Sequence, residues 1–94
     1  MMKSVLQTEK ECYVCQNTLG LHSHHVFEGS NRSQSEKYGM KVWLCGKHHN
    51  LSNEGVHFNK KLDTHLKKMA QEYFEEHIGT RDDFMKAFGR NYLD

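Results

Sequence analysis

From residue 58 onward, apolar side chains return at Phe58, Leu62, Leu66, Met69, Tyr73 and Ile78, with Ala70 and Phe74 beside them and Lys and Glu between. Returns every three or four residues put them on one face of a helix. Gly79 should stop that helix. Thr80, with Asp83 three residues later, reads as a capping box that opens a second, short helix through Phe84 and Phe88 to Gly89. Two shorter apolar stretches, residues 21–27 and 41–44, contain Val, Phe and Trp. Such residues suit strands, so the pattern predicts a hairpin around a loop at residues 29–35. Residues 1–10 show no period and are expected to be a frayed lead-in, with Val5 and Leu6 able to pack back. No repeat, proline or low-complexity tract divides the chain. The expectation is one α+β domain over residues 1–94, with a core at about 12–57 and a helical extension at about 58–94.

A chain of 94 residues, 36% hydrophobic, builds only a thin core, so a staple is expected. No apolar run reaches the length of a membrane span or a signal peptide, which predicts no membrane partner and a cytoplasmic setting. The net charge of +1 differs from the strongly basic footprint of a protein that coats nucleic acid. Any contact with DNA or RNA must then be local.

Three cysteines are an odd number, and Cys12-x-x-Cys15 is a chelating spacing. Structural zinc takes four tetrahedral ligands from Cys and His, and ligands two residues apart let one tight turn offer both to the same ion. Cys12 and Cys15 form one such pair, and Cys45 and His48 form another. The second pair follows the 41–44 strand and is expected to open a short helix through Leu51 and Ser52, the arrangement of a treble-clef finger. Without a metal, the three cysteines would be buried thiols and His48 a surface residue. A redox Cys-x-x-Cys would need a βαβ pattern, and none accompanies it.

Seven of the eight histidines fall between Leu21 and Leu66. With His48 assigned to zinc, His24, His25, His49 and His57 still lack a role. The order of a zinc-knuckle pair, His24-His25-Val26 at a strand end, and Leu44-Cys45-x-x-His48-His49 entering a helix resembles the HNH, or ββα-metal, endonuclease family, here over residues 12–57. The small proteins of this kind encoded by bacteriophages and prophages are the most similar, which implies a bacterial host cell. The resemblance implies that His25 is the general base and that His24 and His49 bind a catalytic Mg2+ or Mn2+ for phosphodiester hydrolysis, with DNA the favoured substrate. An imidazole suits that work because its ordinary pKa lies near neutral pH. Independently of the family, neighbouring strand residues face opposite sides, so His24 and His25 should divide the work. His48 and His49 diverge by about 100° on a helix, so one can hold zinc while the other faces the strand. His22 lies two residues before His24 on the same strand face and is an additional ligand candidate. Arg32, Lys37 and Lys41 lie on or beside the intervening loop as candidate phosphate contacts or as solvated charges.

The family places an asparagine about five residues before the second zinc pair, where this chain has Met40. Asn31, Asn50, Asn53 and His57 are the available substitutes, and His57, with Asn53 behind it, is the favoured choice. Asn53 is one turn from His49 on the same helix face, and His57 follows Gly55, which permits a sharp return of the chain.

The competing reading is a zinc-finger module that binds nucleic acid or protein without cutting. A zinc deaminase is set aside, since no His-x-Glu precedes a Pro-Cys-x-x-Cys. Lys60, Lys61, Lys67 and Lys68 read as a solvated face, and Glu72, Glu75 and Glu76 weaken any field they make. Trp43 and the aromatic run Tyr73, Phe74, Phe84, Phe88 and Tyr92 read as core or interface. His65 and His77 carry no assigned role. The C-terminal helix is the candidate surface for a homodimer or a larger phage protein partner.

Overall fold

In the computed structural model, residues 3–49, 55 and 59–93 are described. Strands β1 (Leu21–His25) and β2 (Lys41–Cys45) pair antiparallel, with Leu21 opposite Cys45 and His25 opposite Lys41. Directly opposed residues share a face. His22 and His24 therefore lie beside Leu44 and Val42, whereas Ser23 and His25 lie beside Trp43 and Lys41.

The strands do not close through a loop. Residues 29–35 were expected to be irregular, but a 3-10 turn at Gly29–Asn31 leads into helix α1 (Arg32–Tyr38). Arg32, Gln34, Glu36 and Lys37 are good helix formers, and Gly39 ends the helix in the left-handed conformation, φ 70°. A Cβ at Gly39 would also collide with the Lys3 carbonyl and Val5, so glycine is required there twice over. Strand β1 stops two residues short of the expected 21–27, and Val26 and Phe27 pack as core instead. Ser35, fully buried, fastens this corner. Its hydroxyl accepts from the Phe27 amide at 3.0 Å and donates to the Phe27 carbonyl at 2.8 Å.

After β2 comes the short α2 (Gly46–His49); Leu51 and Ser52, where its continuation was expected, lie outside the described residues. The long helix α3 (Lys60–His77) is capped by Asn59, whose side chain accepts from the Leu62 amide. Helix α4 (Arg81–Phe88) opens on the expected Thr80–Asp83 capping box and ends at Gly89.

Leu66, Ala70 and Phe74 of α3 and Phe84 and Phe88 of α4 share one buried cluster with Val26, Phe27, Met40, Val42 and Leu44. Phe27 meets Phe88 at 4.4 Å and Phe84 at 5.6 Å between ring centres. Each such side chain contributes about 1.5–3 kcal/mol by burial. The helices thus complete the core of the sheet. Gln71, also fully buried, holds the C-terminal tail: its amide donates to Glu75 and Asn91 and its carbonyl accepts from the Tyr92 amide at 2.7 Å.

The expected fraying of residues 1–10 is not observed for residues 3–10. The Val5 amide donates to the Gly39 carbonyl at 2.9 Å, the Gln7 side chain accepts from the Trp43 amide at 2.8 Å, and Ser4 bonds the Lys41 carbonyl. These bonds use backbone groups at the edge of β2 that would otherwise need water. Trp43, expected in the core, is only half-buried, because alternation turns it to the face covered by this segment. No helix among the described residues is long and apolar enough to cross a membrane.

Candidate functional site

Cys12 and Cys15 sit in a tight turn in which the Gln16 amide donates to the Cys12 carbonyl at 2.9 Å, with Gln16 at φ 63°. Cys45 closes β2, and His48 stands on α2. The register that opposes Leu21 and Cys45 keeps this end of the sheet against the knuckle, as does the bond from the Tyr13 amide to the Trp43 carbonyl. The four ligand atoms all lie within 4.8 Å of one another, close enough to hold a metal ion. Cys15 Sγ is 3.7 Å from Cys45 Sγ, and His48 Nδ1 is 3.7 Å from Cys12 Sγ and 3.3 Å from Cys45 Sγ. With zinc–sulfur bonds of about 2.3 Å and zinc–nitrogen bonds of about 2.0 Å, a tetrahedral ion sets sulfurs about 3.8 Å apart and sulfur and nitrogen about 3.5 Å apart. The expected set fits zinc in chemistry and in spacing, and all three cysteines are free thiols.

The turn also prepares the charge. Burial pushes the Cys12 thiol up, but the backbone amides of Cys45, Cys15 and Val14 directed at it prevail and hold it at about 6. The Asn17 amide lowers Cys15, yet desolvation and the neighbouring Cys12 and Cys45 sulfurs raise it on balance. The turn therefore favours the thiolate at Cys12 and the thiol at Cys15 before a metal arrives.

On the face of the sheet that carries Val42 and Leu44, three imidazoles meet. His22 Nδ1 and His49 Nδ1 are 2.8 Å apart, and the His24 and His49 rings stand edge to face at 5.4 Å. His24 is 2% exposed, and its Nδ1 lies 3.5 Å from Glu28 Oε1. His22, named from the sequence only as an additional candidate, is thus nearer His49 than His24 is, by ring centres of 4.9 Å. His57 and Asn53, the favoured completing ligands, lie outside the described residues, as does Asn50.

His25 faces the other way. Its Nε2 is 3.1 Å from Glu36 Oε1, and the second oxygen of Glu36 receives Lys41 Nζ at 2.6 Å. The Lys41 ammonium, and after it His25, holds the Glu36 carboxyl down at about 2, so it is an anion at any ordinary pH. His25, Glu36 and Arg32 line an open cleft of ≈ 560 Å³ with Ser23, Ser30 and Ser33. Glu36 was missed in the sequence because residues 29–35 were read as a loop ending just before it. Its only signal was its place on the helix face one turn after Arg32.

The expected phosphate contacts separate. Arg32 is exposed on the cleft, on α1 rather than on a loop. Lys37 is exposed with its ammonium 5.2 Å from the Tyr38 ring centre. Lys41 is buried at 7% exposure, with its ammonium paired to Glu36. Met40, at the position of the family asparagine, is a fully buried core residue whose carbonyl accepts from Val26. Asn31 donates to the Phe88 carbonyl at 2.8 Å and ties the 3-10 turn to the end of α4.

Comparison with protein-family models, with characterised proteins and with solved structures finds no match for this chain.

Proposed function

We propose that this chain is a small metal-dependent nuclease of the HNH, or ββα-metal, kind, built as a treble clef on structural zinc held by Cys12, Cys15, Cys45 and His48. The observation that carries the reading is the His25–Glu36 pair opening onto a cleft that also holds Arg32. A histidine whose one nitrogen is fixed by a carboxylate is held in one orientation with its other nitrogen left to accept a proton, as a general base requires. His25 takes the proton from the attacking water, Glu36 stabilises the imidazolium that results, and Arg32 binds the phosphate. A divalent ion bound by His24 and His49, with His22, would supply positive charge to the scissile phosphate and the leaving oxygen. That donor set is rich in imidazole, which favours Mn2+ over Mg2+, since Mg2+ prefers oxygen ligands. DNA is the favoured substrate.

One observation favours a second reading, a zinc module that binds nucleic acid without cutting it. Strand alternation sends His25 to the face opposite His22 and His24, so the candidate base and the candidate metal ligands lie on opposite faces of β1. Cleavage of plasmid and of single-stranded DNA by the folded, zinc-loaded protein decides between them. Under the nuclease reading Mn2+ or Mg2+ supports cutting and His25→Ala abolishes it with zinc content unchanged. A folded wild type that cuts nothing with either ion leaves the binding module.

A further inference from the structure

The sheet face that carries Ser23, His25, Lys41 and Trp43 holds two depressions that meet at Ser23. One is the His25 cleft. The other, of ≈ 500 Å³, lies between the N-terminal segment and β2, with Trp43 and Val42 among its lining residues. Lys3, Lys10 and Lys41 line it, and among the described residues no carboxylate does. Lys41 is answered by Glu36, which leaves the positive charge of Lys3 and Lys10 at the rim. Lys10 Nζ already stands 4.8 Å from the centre of the Trp43 ring, a cation on an indole.

In a chain of net charge +1, a groove whose charged lining residues are all lysines and that contains a half-buried indole is a local site for a polyanion with flat, apolar parts. Nucleic acid has both. A base inside a duplex has its faces covered by its neighbours, so only an unpaired base can stack on a protein ring.

We propose that this groove seats an unpaired nucleotide beside the His25 cleft, its base on Trp43 and its phosphates on Lys3 and Lys10, so that the protein takes single-stranded nucleic acid in preference to duplex. The inference rests on the proposed function only in taking nucleic acid as the ligand. Lys10, on a flexible stem, moves from the indole to a phosphate when the base arrives. The continuity of the two depressions at Ser23 leads the strand from Trp43 to His25.

Trp43 is the only tryptophan in the chain, so its emission reports on the groove directly. The zinc-loaded protein, with no added Mg2+ or Mn2+, is titrated with a twelve-residue oligothymidylate, with the matching oligouridylate and with a twelve-pair DNA duplex. Binding is followed by tryptophan emission and by anisotropy of labelled strands. Saturating oligothymidylate should quench Trp43, and the duplex should bind at least about tenfold more weakly. Trp43→Ala should weaken single-strand binding about tenfold, whereas Trp43→Phe, which keeps a stacking face, should stay within about threefold. Lys10→Gln, at an exposed residue, should reduce the slope of log affinity against log salt by about 0.7. It decides the matter even where Trp43→Ala proves unfolded. Unchanged emission at saturation, equal affinity for duplex, or an unchanged salt slope in Lys10→Gln would overturn the proposal. The preference between oligothymidylate and oligouridylate assigns the groove to DNA or RNA. Cleavage with no dependence on Trp43 sinks the groove and spares the nuclease, and single-strand binding through Trp43 without cleavage does the reverse.

Discussion

Glu36 Oε1 lies 3.1 Å from His25 Nε2, and because the other oxygen of Glu36 holds Lys41, one carboxylate on α1 joins the last residue of β1 to the first of β2. The pair serves both the fold and the proposed chemistry, and the two roles separate by pH. Glu36→Gln keeps the shape and removes the charge. At neutral pH, cleavage by Glu36→Gln should fall by roughly ten- to a hundredfold as His25 loses the anionic partner that orients it, with Mn2+ binding left intact. A variant that cuts as fast as wild type would leave Glu36 a purely structural residue.

The same carboxyl sets an acid dependence of stability. Its pKa is about 2 in the folded protein, against an ordinary 4.5. Because the folded value is the lower one, the stabilisation is complete above about pH 4.5 and is lost as pH falls from there toward 2. The difference in melting temperature between wild type and Glu36→Gln should therefore be largest at neutral pH and close toward pH 2. Taking the difference removes the acid sensitivity that the metal thiolates share in both proteins.

Removing the metal should cost more than any single side chain. The core is small, and the Cys12 turn, β2 and α2 meet at the four side chains that lie close enough to hold a metal. One zinc per chain is expected by elemental analysis. Chelation, or Cys45→Ser, should lower the melting temperature by at least about 10 °C. A metal-free protein that melts with the wild type would show that the four side chains do not staple the fold.

Gly39→Ala tests how the N-terminal segment is held. The added methyl meets the Lys3 carbonyl and Val5, in a backbone conformation that alanine disfavours. Destabilisation of about 2–4 kcal/mol is expected in denaturant unfolding, more than the left-handed conformation costs by itself. A loss near 1 kcal/mol would mean that the segment moves aside.

Gln71→Met keeps the volume of a buried side chain but leaves the Tyr92 amide without its acceptor. A loss of about 1–3 kcal/mol is expected. Hydrogen exchange should show the tail after α4 released first, with Tyr92 no longer 5.4 Å from Phe27.

How much the sequence determined depends on the range of the interactions. The two C-terminal helices, the Thr80–Asp83 box, both strands and the clustering of Cys12, Cys15, Cys45 and His48 were legible, because periodicity, capping and chelate spacing are written within a few residues of one another. Helix α1 was not read, although Gly39 marks its end, because seven residues without an apolar stripe carry little signal against a loop. Tertiary structure alone brought Glu36 to His25 eleven residues away, His22 to His49 across the sheet, and residues 3–10 onto β2. It also spent Lys41 on Glu36 and buried Met40 where the resemblance looked for an amide. These outcomes depend on which strand faces oppose one another and which backbone groups at the edge of β2 still need partners, quantities that exist only once the chain has closed on itself.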